Sequence, residues 1–382
     1  MNSIIHRTVT VERTPRFFQI CGKFDLPNDD TTVVEWDLDV QLPDEWSVGV
    51  IVGKSMAGKT TIARELFGQD SVVDQGYWQW PLGKSGKPVC IADGFPAGMS
   101  IDEITGLLSS VGFSSPPDWK KPHGSLSKGG QFRVDLARTL AERPELAVVD
   151  EFGSLVHQTA RQVAAAAAAK AVRRRGGKLV ALCVHPDALE YFEPDWVINM
   201  VPGEVVRCVA TRGSLRRPDI ELEIERVDRK AWAHFKAHHY LSADIKSEAR
   251  CFVAFIGGQP AAFCAATHKP TTAGKIYAEH RTVCLPDYQG VGIGNTLSEF
   301  VASMFKATGL KYFSATSHPA FIKHRARSPL WHMHRKPNIV SARGKSGHKT
   351  FEASESTGRI TAGFQYIGPA RPEEAAKFGV LK

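Results

Sequence analysis

Two glycine-rich stretches of this 382-residue sequence have the residue types and spacing of phosphate-binding loops. The first runs from Gly53 to Thr60, reads GKSMAGKT, and matches the pattern G-x-x-x-x-G-K-[ST]. Gly53 and Gly58 let the backbone turn so that successive N–H groups face a phosphate. The ammonium of Lys59 would reach the β- and γ-phosphates, and the Thr60 hydroxyl would coordinate Mg²⁺. The stretch therefore predicts a nucleoside triphosphate site, with Thr61 as a further contact.

The second stretch reads QGVGIG, from Gln289 to Gly294. A short apolar run precedes it, and a helix pattern with one apolar face follows it. Glycines allow the backbone of such a turn to approach a pyrophosphate closely, and the amides and the helix dipole complement its charge. We therefore expect a second phosphate site at this turn. Its predicted contacts are Gln289, Gly290, Val291, Gly292, Ile293 and Gly294.

Acidic residues end another apolar run in the first half of the chain, ELAVVDEFGS. A strand that ends in acids is common, but it becomes informative when it follows a phosphate loop. Asp150 is placed to hold Mg²⁺ through water, and Glu151 is placed to polarise an attacking water. A further apolar run, ALCVHPD, ends near His185. Together with the run before the first phosphate loop, these stretches predict buried strands of an α/β domain.

The run LSKGGQ, Leu126 to Gln131, closely resembles the LSGGQ signature of ABC ATPases, with lysine in place of the first glycine. The residues that follow it, FRVDLARTLAERPELAVVDE, are similar to the helix that leads from that signature to the Asp-Glu strand. Because the phosphate loop, the signature, the acids and His185 occur in the family's order, residues 46–200 resemble an ABC nucleotide-binding domain.

This resemblance implies roles for particular residues. ATP and Mg²⁺ would be the ligands of the first phosphate loop. Glu151 and His185 would be catalytic, with His185 as the switch histidine that senses the γ-phosphate. The signature turn would cap ATP bound to the opposite subunit, which implies an ATP-dependent homodimer. The residues expected at that cap are Ser127, Gly129, Gly130 and Gln131.

Several features depart from the family pattern. About 70 residues separate the phosphate loop from the signature, a short distance for the family, so we expect a trimmed helical part. No segment clearly matches the glutamine-containing loop that couples such domains to membrane partners, and Gln79 and Asp93 both stay candidates for it. No apolar run approaches the roughly 20 residues that cross a bilayer, and the seven cysteines lack C-x-x-C pairing. We therefore expect a cytoplasmic protein with reduced thiols and no membrane part.

The second phosphate stretch, Gln289–Gly294, fits the [RQ]-x-x-G-x-[GA] loop of GNAT acyltransferases, which use acetyl-CoA or another acyl-CoA. Upstream of it, ARCFVAFIGGQPAAFCAATH predicts a hairpin that turns at Gly257 and Gly258. Downstream of it, LKYFSATS predicts the next strand. This order over roughly residues 221–317 resembles the GNAT fold, and a structural α+β domain without a cofactor is the alternative.

The GNAT resemblance implies that a base removes a proton from an acceptor amine held beside the thioester. Glu279 or His280, just before the loop strand, would be that base, and the two stay alternatives. Tyr312 would donate a proton to the leaving thiolate. Backbone amides of the strand ahead of the loop would polarise the thioester carbonyl.

Charge is unevenly distributed along the chain. Residues 1–214 carry a net charge of −3 and residues 215–382 a net charge of +11, against +8 for the whole chain. Such a basic excess favours a polyanionic partner for the second half. In SHPAFIKHRARSPLWHMHRKPN, cations around Trp331 suit nucleic-acid phosphates and a stacked base, whereas a basic surface around a core tryptophan is the alternative. These cations are Lys323, His324, Arg325, Arg327, His332, His334, Arg335 and Lys336.

The patterns together predict an α/β, P-loop ABC-like nucleotide-binding domain over residues 1–214, followed by an α+β, GNAT-like acyltransferase domain over residues 215–382. The predicted function is that of an ATP-hydrolysing, acyl-CoA-dependent N-acyltransferase that acts on nucleic acid or a modified base. A non-catalytic ATP-driven DNA clamp and the acylation of a small amine or a protein lysine are the alternatives. The organisation is also similar to bacteriophage DNA-modification systems, by analogy rather than by a shared motif.

Overall fold

The fold is described from a computed structural model, which covers residues 2–74, 76–239, 244–271, 274–339 and 360–381. Its strands form one sheet of eight and one of seven, and each sheet is built from one half of the chain. The predicted boundary at residues 214 and 215 lies between the last strand of the first sheet and the first strand of the second.

The first sheet has the strand order β1-β2-β8-β7-β3-β6-β5-β4. Its strands are β1 (Asn2–Thr10), β2 (Thr31–Asp39), β3 (Val48–Gly53), β4 (Val72–Val73), β5 (Leu146–Val149), β6 (Lys178–Cys183), β7 (Trp196–Met200) and β8 (Val206–Ala210). The helices of this half are α1 (Pro15–Phe24), α2 (Lys59–Phe67), α3 (Ile101–Ser110), α4 (Pro116–Trp119), α5 (Lys128–Glu142), α6 (Gln158–Arg175) and α7 (Leu189–Phe192).

Strand β3 lies at the centre of this sheet, parallel to β6 on one side and β7 on the other. Its side chains alternate between two hydrophobic cores, with Val50 in one and Ile51 in the other. A strand buried on both faces requires an uninterrupted apolar run, which explains the sequence VGVIV. The phosphate loop therefore leaves the carboxyl edge of a parallel sheet, where ligand sites of such sheets form.

Helix α6 contains the alanine-rich segment and ends at Gly176, whose φ of 73° is the left-handed conformation that stops a helix. The alanines of α6 are buried, and several of them pack in the core that also contains Val50. Because alanine side chains are small, other backbone segments can approach this helix closely.

The second sheet has the strand order β14-β15-β13-β12-β11-β10-β9. Its strands are β9 (Glu223–Val227), β10 (Arg250–Ile256), β11 (Gln259–Thr271), β12 (Gly274–Cys284), β13 (Tyr312–Thr316), β14 (Trp331–Ile339) and β15 (Ile360–Tyr366). The helices of this half are α8 (Trp232–Phe235), α9 (Ile293–Lys306), α10 (Pro319–Arg325) and α11 (Pro372–Lys377).

The predicted hairpin is present as β10 and β11, which pair antiparallel. Its turn residues Gly257 and Gly258 have φ values of 54° and 74°, and positive φ at both positions is what a two-residue hairpin turn of type I′ needs. The predicted next strand is β13, and the predicted amphipathic helix is α9.

Strands β12 and β13 are parallel, and their pairing is confined to Tyr277 with Tyr312 and Ala278 with Phe313. Both strands continue beyond these pairs, so they diverge and leave a gap between them. At the start of the gap, β12 has a bulge at His280, because Glu279 and Arg281 pair with consecutive residues of β11. This gap opens toward the second phosphate loop.

The two halves therefore have the fold class that the sequence predicts, an α/β phosphate-loop domain followed by an α+β domain. Along the part of the chain that the structure describes, no helix combines the length and apolar character needed to cross a membrane.

Candidate functional site

The first phosphate loop connects β3 to α2. Gly58 caps α2 with a φ of 92°, and a Cβ at this position would lie 2.4 Å from the Trp36 ring. Only glycine fits there. The Nζ atom of Lys59 donates to the carbonyls of Gly53 at 2.9 Å and Lys54 at 2.8 Å, so the ammonium lies within the loop. This arrangement fits the phosphates of a nucleotide.

Two oxygen ligands lie side by side at this loop. The hydroxyl of Thr60 donates to a carboxylate oxygen of Asp150 at 2.5 Å, and Asp150 is 8% exposed. Burial lowers the pKa of Lys59, and the negative charges of Asp150 and Glu151 act in the opposite direction. A hydroxyl and a carboxylate beside a lysine are the donor set that Mg²⁺ takes together with nucleotide phosphates. The residues therefore fit ATP with Mg²⁺.

Glu151 and His185 follow the carboxyl ends of two neighbouring parallel strands, β5 and β6. Glu151 is exposed directly after Asp150 and has a φ of 47°, which is unusual for a residue with a side chain. His185 is exposed two residues after Cys183, which pairs with Val52 at the end of β3. Both residues are thus on the phosphate-loop edge of the sheet. Their catalytic roles stay predictions.

The signature turn forms the start of α5. The hydroxyl of Ser127 accepts a hydrogen bond from the backbone N–H of Gly130 at 3.2 Å and caps the helix. The side-chain amide of Gln131 donates to the carbonyl of Leu126 at 3.1 Å. Ser127 is exposed at a helix N-terminus, where backbone N–H groups favour an anion. The predicted contact of Ser127, Gly129, Gly130 and Gln131 with nucleotide of another subunit stays a prediction.

The second phosphate loop leads into α9. Gly290 and Gly292 have φ values of 97° and 103°, and Gly292 caps the helix. A Cβ on Gly292 would meet nothing within 4 Å, so one side of the loop is open. A Cβ on Gly290 would instead lie 2.8 Å from the Cβ of Ala167 and 2.9 Å from the Cα of Gly112. The other side of the loop is therefore pressed against the first domain.

The open side faces a cavity of about 1000 Å³. Its walls are the diverging parts of β12 and β13, the second phosphate loop, the start of α10, and helices α3 and α6 of the first domain. The cavity is lined by all the predicted contacts of this loop except Val291, namely Gln289, Gly290, Gly292, Ile293 and Gly294. An open glycine loop at a helix N-terminus beside a deep cavity fits the pyrophosphate and the long arm of an acyl-CoA.

Glu279 lies in the cavity wall but is fully engaged within the second domain. Its carboxylate accepts from Arg325 at 2.8 Å, from the Ser298 hydroxyl at 2.8 Å and from the Thr282 hydroxyl at 2.7 Å. The side chain of Glu279 is 8% exposed and that of Arg325 is 1% exposed. This buried ion pair ties β12 to α10 next to the gap.

His280, the bulge residue, also lines the cavity. Burial, followed by the charges of Arg281 and Lys246, lowers its pKa to about 3, so the imidazole is neutral at neutral pH. Its Nε2 atom accepts from the backbone N–H of Lys246 at 3.2 Å. In the tautomer that makes this contact the proton is on Nδ1 and Nε2 is the acceptor. The role of His280 as a base stays a prediction.

Tyr312 is fully buried in the core of the second domain. Burial raises the pKa of its hydroxyl well above the ordinary value. Tyr312 is not among the described residues that line the cavity. This position does not favour contact between its hydroxyl and a thiolate in the cavity.

The predicted stacking site around Trp331 has a different structure. Trp331 is 5% exposed, its indole N–H donates to Glu299 at 3.2 Å, and the Arg325 guanidinium lies 4.4 Å from the centre of its ring. Arg325 is itself buried in the pair with Glu279. Trp331 is thus a core tryptophan, which agrees with the second of the two alternatives that the sequence left open. Tyr366 packs against Trp331 and is also buried.

Arg133 connects the signature helix to the second phosphate loop. Its buried guanidinium donates to the carbonyls of Gly112 at 3.0 Å, Asp287 at 3.1 Å and Gln289 at 3.3 Å. Burial lowers its pKa to about 10, which leaves it charged at neutral pH. A Cβ on Gly129 would lie 3.4 Å from a carboxylate oxygen of Asp287. The signature turn and the second loop are therefore neighbours.

Two further hydrogen bonds cross between the domains at Ser114. Its backbone N–H donates to the side-chain oxygen of Gln289 at 2.6 Å, and the amide of Gln289 donates to the Cys284 carbonyl at 2.7 Å. The carbonyl of Ser114 accepts from Nε2 of His318 at 2.7 Å. Sequence analysis did not identify Arg133, Ser114 or His318. One available signal was that Arg133 occupies the face of α5 otherwise formed by buried apolar residues.

Comparisons with known proteins find relatives for each half of the chain. A family model described as the acetyltransferase (GNAT) family matches residues 218–323. The chain is 37% identical over 108 residues to the phosphonates import ATP-binding protein PhnC 2 of a Synechococcus species, over 28% of this chain and 39% of that protein. It is 32% identical over 177 residues to the aliphatic sulfonates import ATP-binding protein SsuB 2 of Frankia alni, over 42% of this chain and 69% of that protein.

Solved structures that match part of the chain include cbiO1 of Clostridium perfringens, part of an ABC transporter complex, at 14% identity and a TM-score of 0.34. That match covers 48% of this chain and 82% of cbiO1. A dimeric bacterial ABC transporter cassette matches at 17% identity with a TM-score of 0.36, over 48% of this chain and 93% of the cassette.

The chain therefore belongs to the family of ABC transporter ATP-binding proteins through its N-terminal half, and it carries a GNAT-family domain in its C-terminal half. It spans 39% of the length of the phosphonate relative and 69% of the sulfonate relative. The ABC domain implies ATP with Mg²⁺, and the GNAT domain implies an acyl-CoA.

Proposed function

We propose that this protein is an ATP-hydrolysing, acyl-CoA-dependent N-acyltransferase whose acceptor is nucleic acid or a modified base. The observation that carries the proposal is the cavity of about 1000 Å³, which the open glycine loop and the gap between β12 and β13 share. A purely structural α+β domain has no need for a glycine loop held open at a helix N-terminus.

In this proposal the acyl-CoA supplies an activated acyl group as a thioester. The loop from Gly290 to Gly294 and the N-terminus of α9 bind its pyrophosphate through backbone N–H groups. Backbone N–H groups of β12 in the part of the strand that diverges from β13 polarise the carbonyl of the thioester. Catalysis comes mainly from holding the two reactants side by side in the gap.

Of the two base candidates, the contacts favour Glu279, because the Nε2 atom of His280 already accepts a hydrogen bond from the backbone N–H of Lys246. The Arg325 guanidinium compensates the charge of the Glu279 carboxylate, and each carboxylate oxygen accepts two hydrogen bonds, so one of them has to open before Glu279 takes up a proton. Glu279→Gln is expected to lower kcat by roughly 100-fold or more, the usual contribution of a general base. Unchanged KM for acetyl-CoA would separate this effect from a loss of cofactor binding.

In the first domain, Lys59, Thr60 and Asp150 bind ATP with Mg²⁺, and Glu151 polarises the attacking water. The exposed signature turn at Ser127 caps nucleotide on a second copy, so ATP forms the dimer. The direct neighbourhood of the signature turn and the second phosphate loop supports coupling between ATP use and acyl transfer.

The charge of the second half of the chain supports nucleic acid as the acceptor. The second half carries the basic excess, and β14 exposes His332, His334, Arg335 and Lys336 along one strand. Because Trp331 is a core residue, this surface would contact phosphates without stacking a base on that indole.

The test is acyl transfer by the full chain from labelled acetyl-CoA, with and without ATP and Mg²⁺. Acceptors are DNA, RNA, small amines and lysine peptides, and mass spectrometry of digested nucleosides identifies the product. Label in nucleic acid supports the proposal. Label only in amines or peptides refutes the acceptor, and a wild-type chain that neither binds nor consumes acetyl-CoA refutes the acyltransferase.

Salt dependence tests the basic strand separately. Replacing Arg335 and Lys336 with alanine should reduce the slope of log affinity for nucleic acid against log salt by roughly 0.7 to 0.9 for each phosphate that is no longer bound. The matched control removes the exposed first-domain lysines Lys84 and Lys87 and should leave the slope unchanged. Equal slopes in the wild type and both variants would exclude β14 from nucleic-acid binding.

A further inference from the structure

We propose that the ATP-binding domain completes the acyl-CoA site, with Lys170 and Arg174 of helix α6 binding the 3′-phosphate of CoA. This inference rests on the proposed acyl-CoA function and adds a second domain to its cofactor site. The loop N–H groups account for the pyrophosphate of CoA, and its remaining phosphate needs separate cationic partners.

Helix α6 contacts the second phosphate loop directly. A Cβ on Gly290 would lie 2.8 Å from the Cβ of Ala167, so the helix and the loop touch at this point. Residues three, four and seven positions after Ala167 share its face of the helix. These residues are Lys170, Ala171 and Arg174, and all three line the cavity into which the loop opens. Helix α6 thus places two cations on the cavity wall, three and seven residues beyond the point where it touches the loop.

The neighbouring arginines show that this placement is selective. Arg173 donates to the carbonyls of Phe192 and Glu193, and Arg175 donates to the carbonyl of Leu140 at 3.3 Å. Within the described parts of the chain, Lys170 and Arg174 have no hydrogen bond or ion pair of their own. The two cations that face the cavity are therefore the ones that remain available to a ligand.

The charge around them is not compensated. Burial and then the like charges of Arg174 and Arg217 lower the pKa of Lys170. The described lining of the cavity has seven lysines and arginines against two acids, Asp102 and Glu279, and Glu279 is paired with Arg325. Lys323 and Arg327 belong to the same lining as Lys170 and Arg174. A ligand that carries several phosphates would relieve the repulsion among these cations.

Dephospho-CoA, which lacks only the 3′-phosphate, isolates the proposed contact. Calorimetry on the full chain compares CoA with dephospho-CoA for the wild type and for Lys170→Gln/Arg174→Gln. We expect the double variant to bind CoA roughly 10- to 100-fold more weakly, the range for removing charged hydrogen bonds, and to bind dephospho-CoA as the wild type does. The preference for CoA over dephospho-CoA should therefore disappear.

Arg175→Gln is the matched control, because it removes one cation from the same helix end outside the cavity lining. It should keep the wild-type preference, and all variants should keep wild-type thermal unfolding and ATP binding. The single variant Lys170→Gln gives an intermediate preference and provides the test if the double variant unfolds.

The outcomes separate this inference from the proposed function. A wild type that binds neither ligand refutes the acyl-CoA function and this inference with it. A wild type that binds CoA and a double variant that binds it equally well refute this inference alone. An equal loss of affinity for both ligands also refutes it, because the two cations would then support the loop and not the 3′-phosphate. A double variant that binds CoA normally but no longer binds nucleic acid would show that Lys170 and Arg174 contact the acceptor. That result would also refute this inference.

Discussion

Arg133 provides a direct test of whether the ATP-binding domain sets the shape of the second phosphate loop. Its guanidinium is buried, and it donates to the carbonyl of Gln289, the first residue of that loop, and to that of Asp287, two residues earlier. Arg133→Met keeps most of the side-chain volume and removes every donor. The carbonyls of Gly112, Asp287 and Gln289 are then left without a buried partner.

The size of the effect follows from two opposing contributions. Each buried carbonyl left without a donor costs about 1 to 3 kcal/mol, so three of them cost about 3 to 9 kcal/mol. The variant recovers the desolvation cost of a buried cation, which is several kcal/mol and which also appears as the lowered pKa of Arg133. We expect a net decrease of about 2 to 4 kcal/mol in stability, concentrated where the two domains meet.

Because the Gln289 carbonyl is in the loop and the Asp287 carbonyl lies just before it, part of this decrease should appear in cofactor binding. We expect CoA affinity to fall by roughly tenfold, which is about 1.4 kcal/mol. Calorimetric titration with CoA and thermal unfolding of the full chain measure the two effects. Arg138→Met is the matched control, since Arg138 lies on the same helix but bonds the Gln79 carbonyl within the first domain. Wild-type CoA affinity in Arg133→Met would refute the reasoning.

Three other predictions concern the two phosphate sites and the bulge. Lys59→Ala should abolish ATP hydrolysis, whereas Glu151→Gln should bind ATP, hydrolyse it slowly and accumulate as a dimer; light scattering that shows a monomer with ATP would contradict the dimer. Gly292→Asp should block CoA binding by placing a carboxylate against the pyrophosphate, and undiminished calorimetric affinity would exclude this loop. The free energy of unfolding should fall as the pH drops from about 6.5 to about 3, because His280 takes up a proton in the unfolded chain and stays neutral in the folded protein. The slope from this residue is at most about 1.4 kcal/mol per pH unit, and His280→Gln should reduce the measured slope.

The features predicted well from sequence depend on contiguous residues. The first phosphate loop, the hairpin at Gly257 and Gly258, and the helix after Gly292 each need a particular backbone conformation at fixed spacing, and glycine marks it. Strand β3 could be recognised because a strand buried on both faces must be apolar throughout. Such signals are present in the sequence before any long-range contact forms.

The sequence left two alternatives open at Trp331 for the opposite reason. A tryptophan among cations has the composition of a nucleic-acid surface, but its neighbour Arg325 is paired with Glu279, 46 residues earlier in the chain. That partner converts a surface cation into a core ion pair, and the indole packs over it. Composition alone does not show which cations have a distant carboxylate, so the exposed and buried members of this cluster could not be separated.

Gln289 shows why the contact between the domains could not be predicted from either motif. The pattern of the second phosphate loop predicts this residue as a ligand contact, whereas its side chain joins the Ser114 N–H, 175 residues earlier, to the Cys284 carbonyl. Its own carbonyl accepts from Arg133, so side chain and backbone both hold the loop from the side away from the open Gly292. The ligand-facing part of the loop is left to N–H groups, and the ATP-binding domain fixes their direction. A motif records residue types along one segment, but here the geometry of that segment is set by another domain.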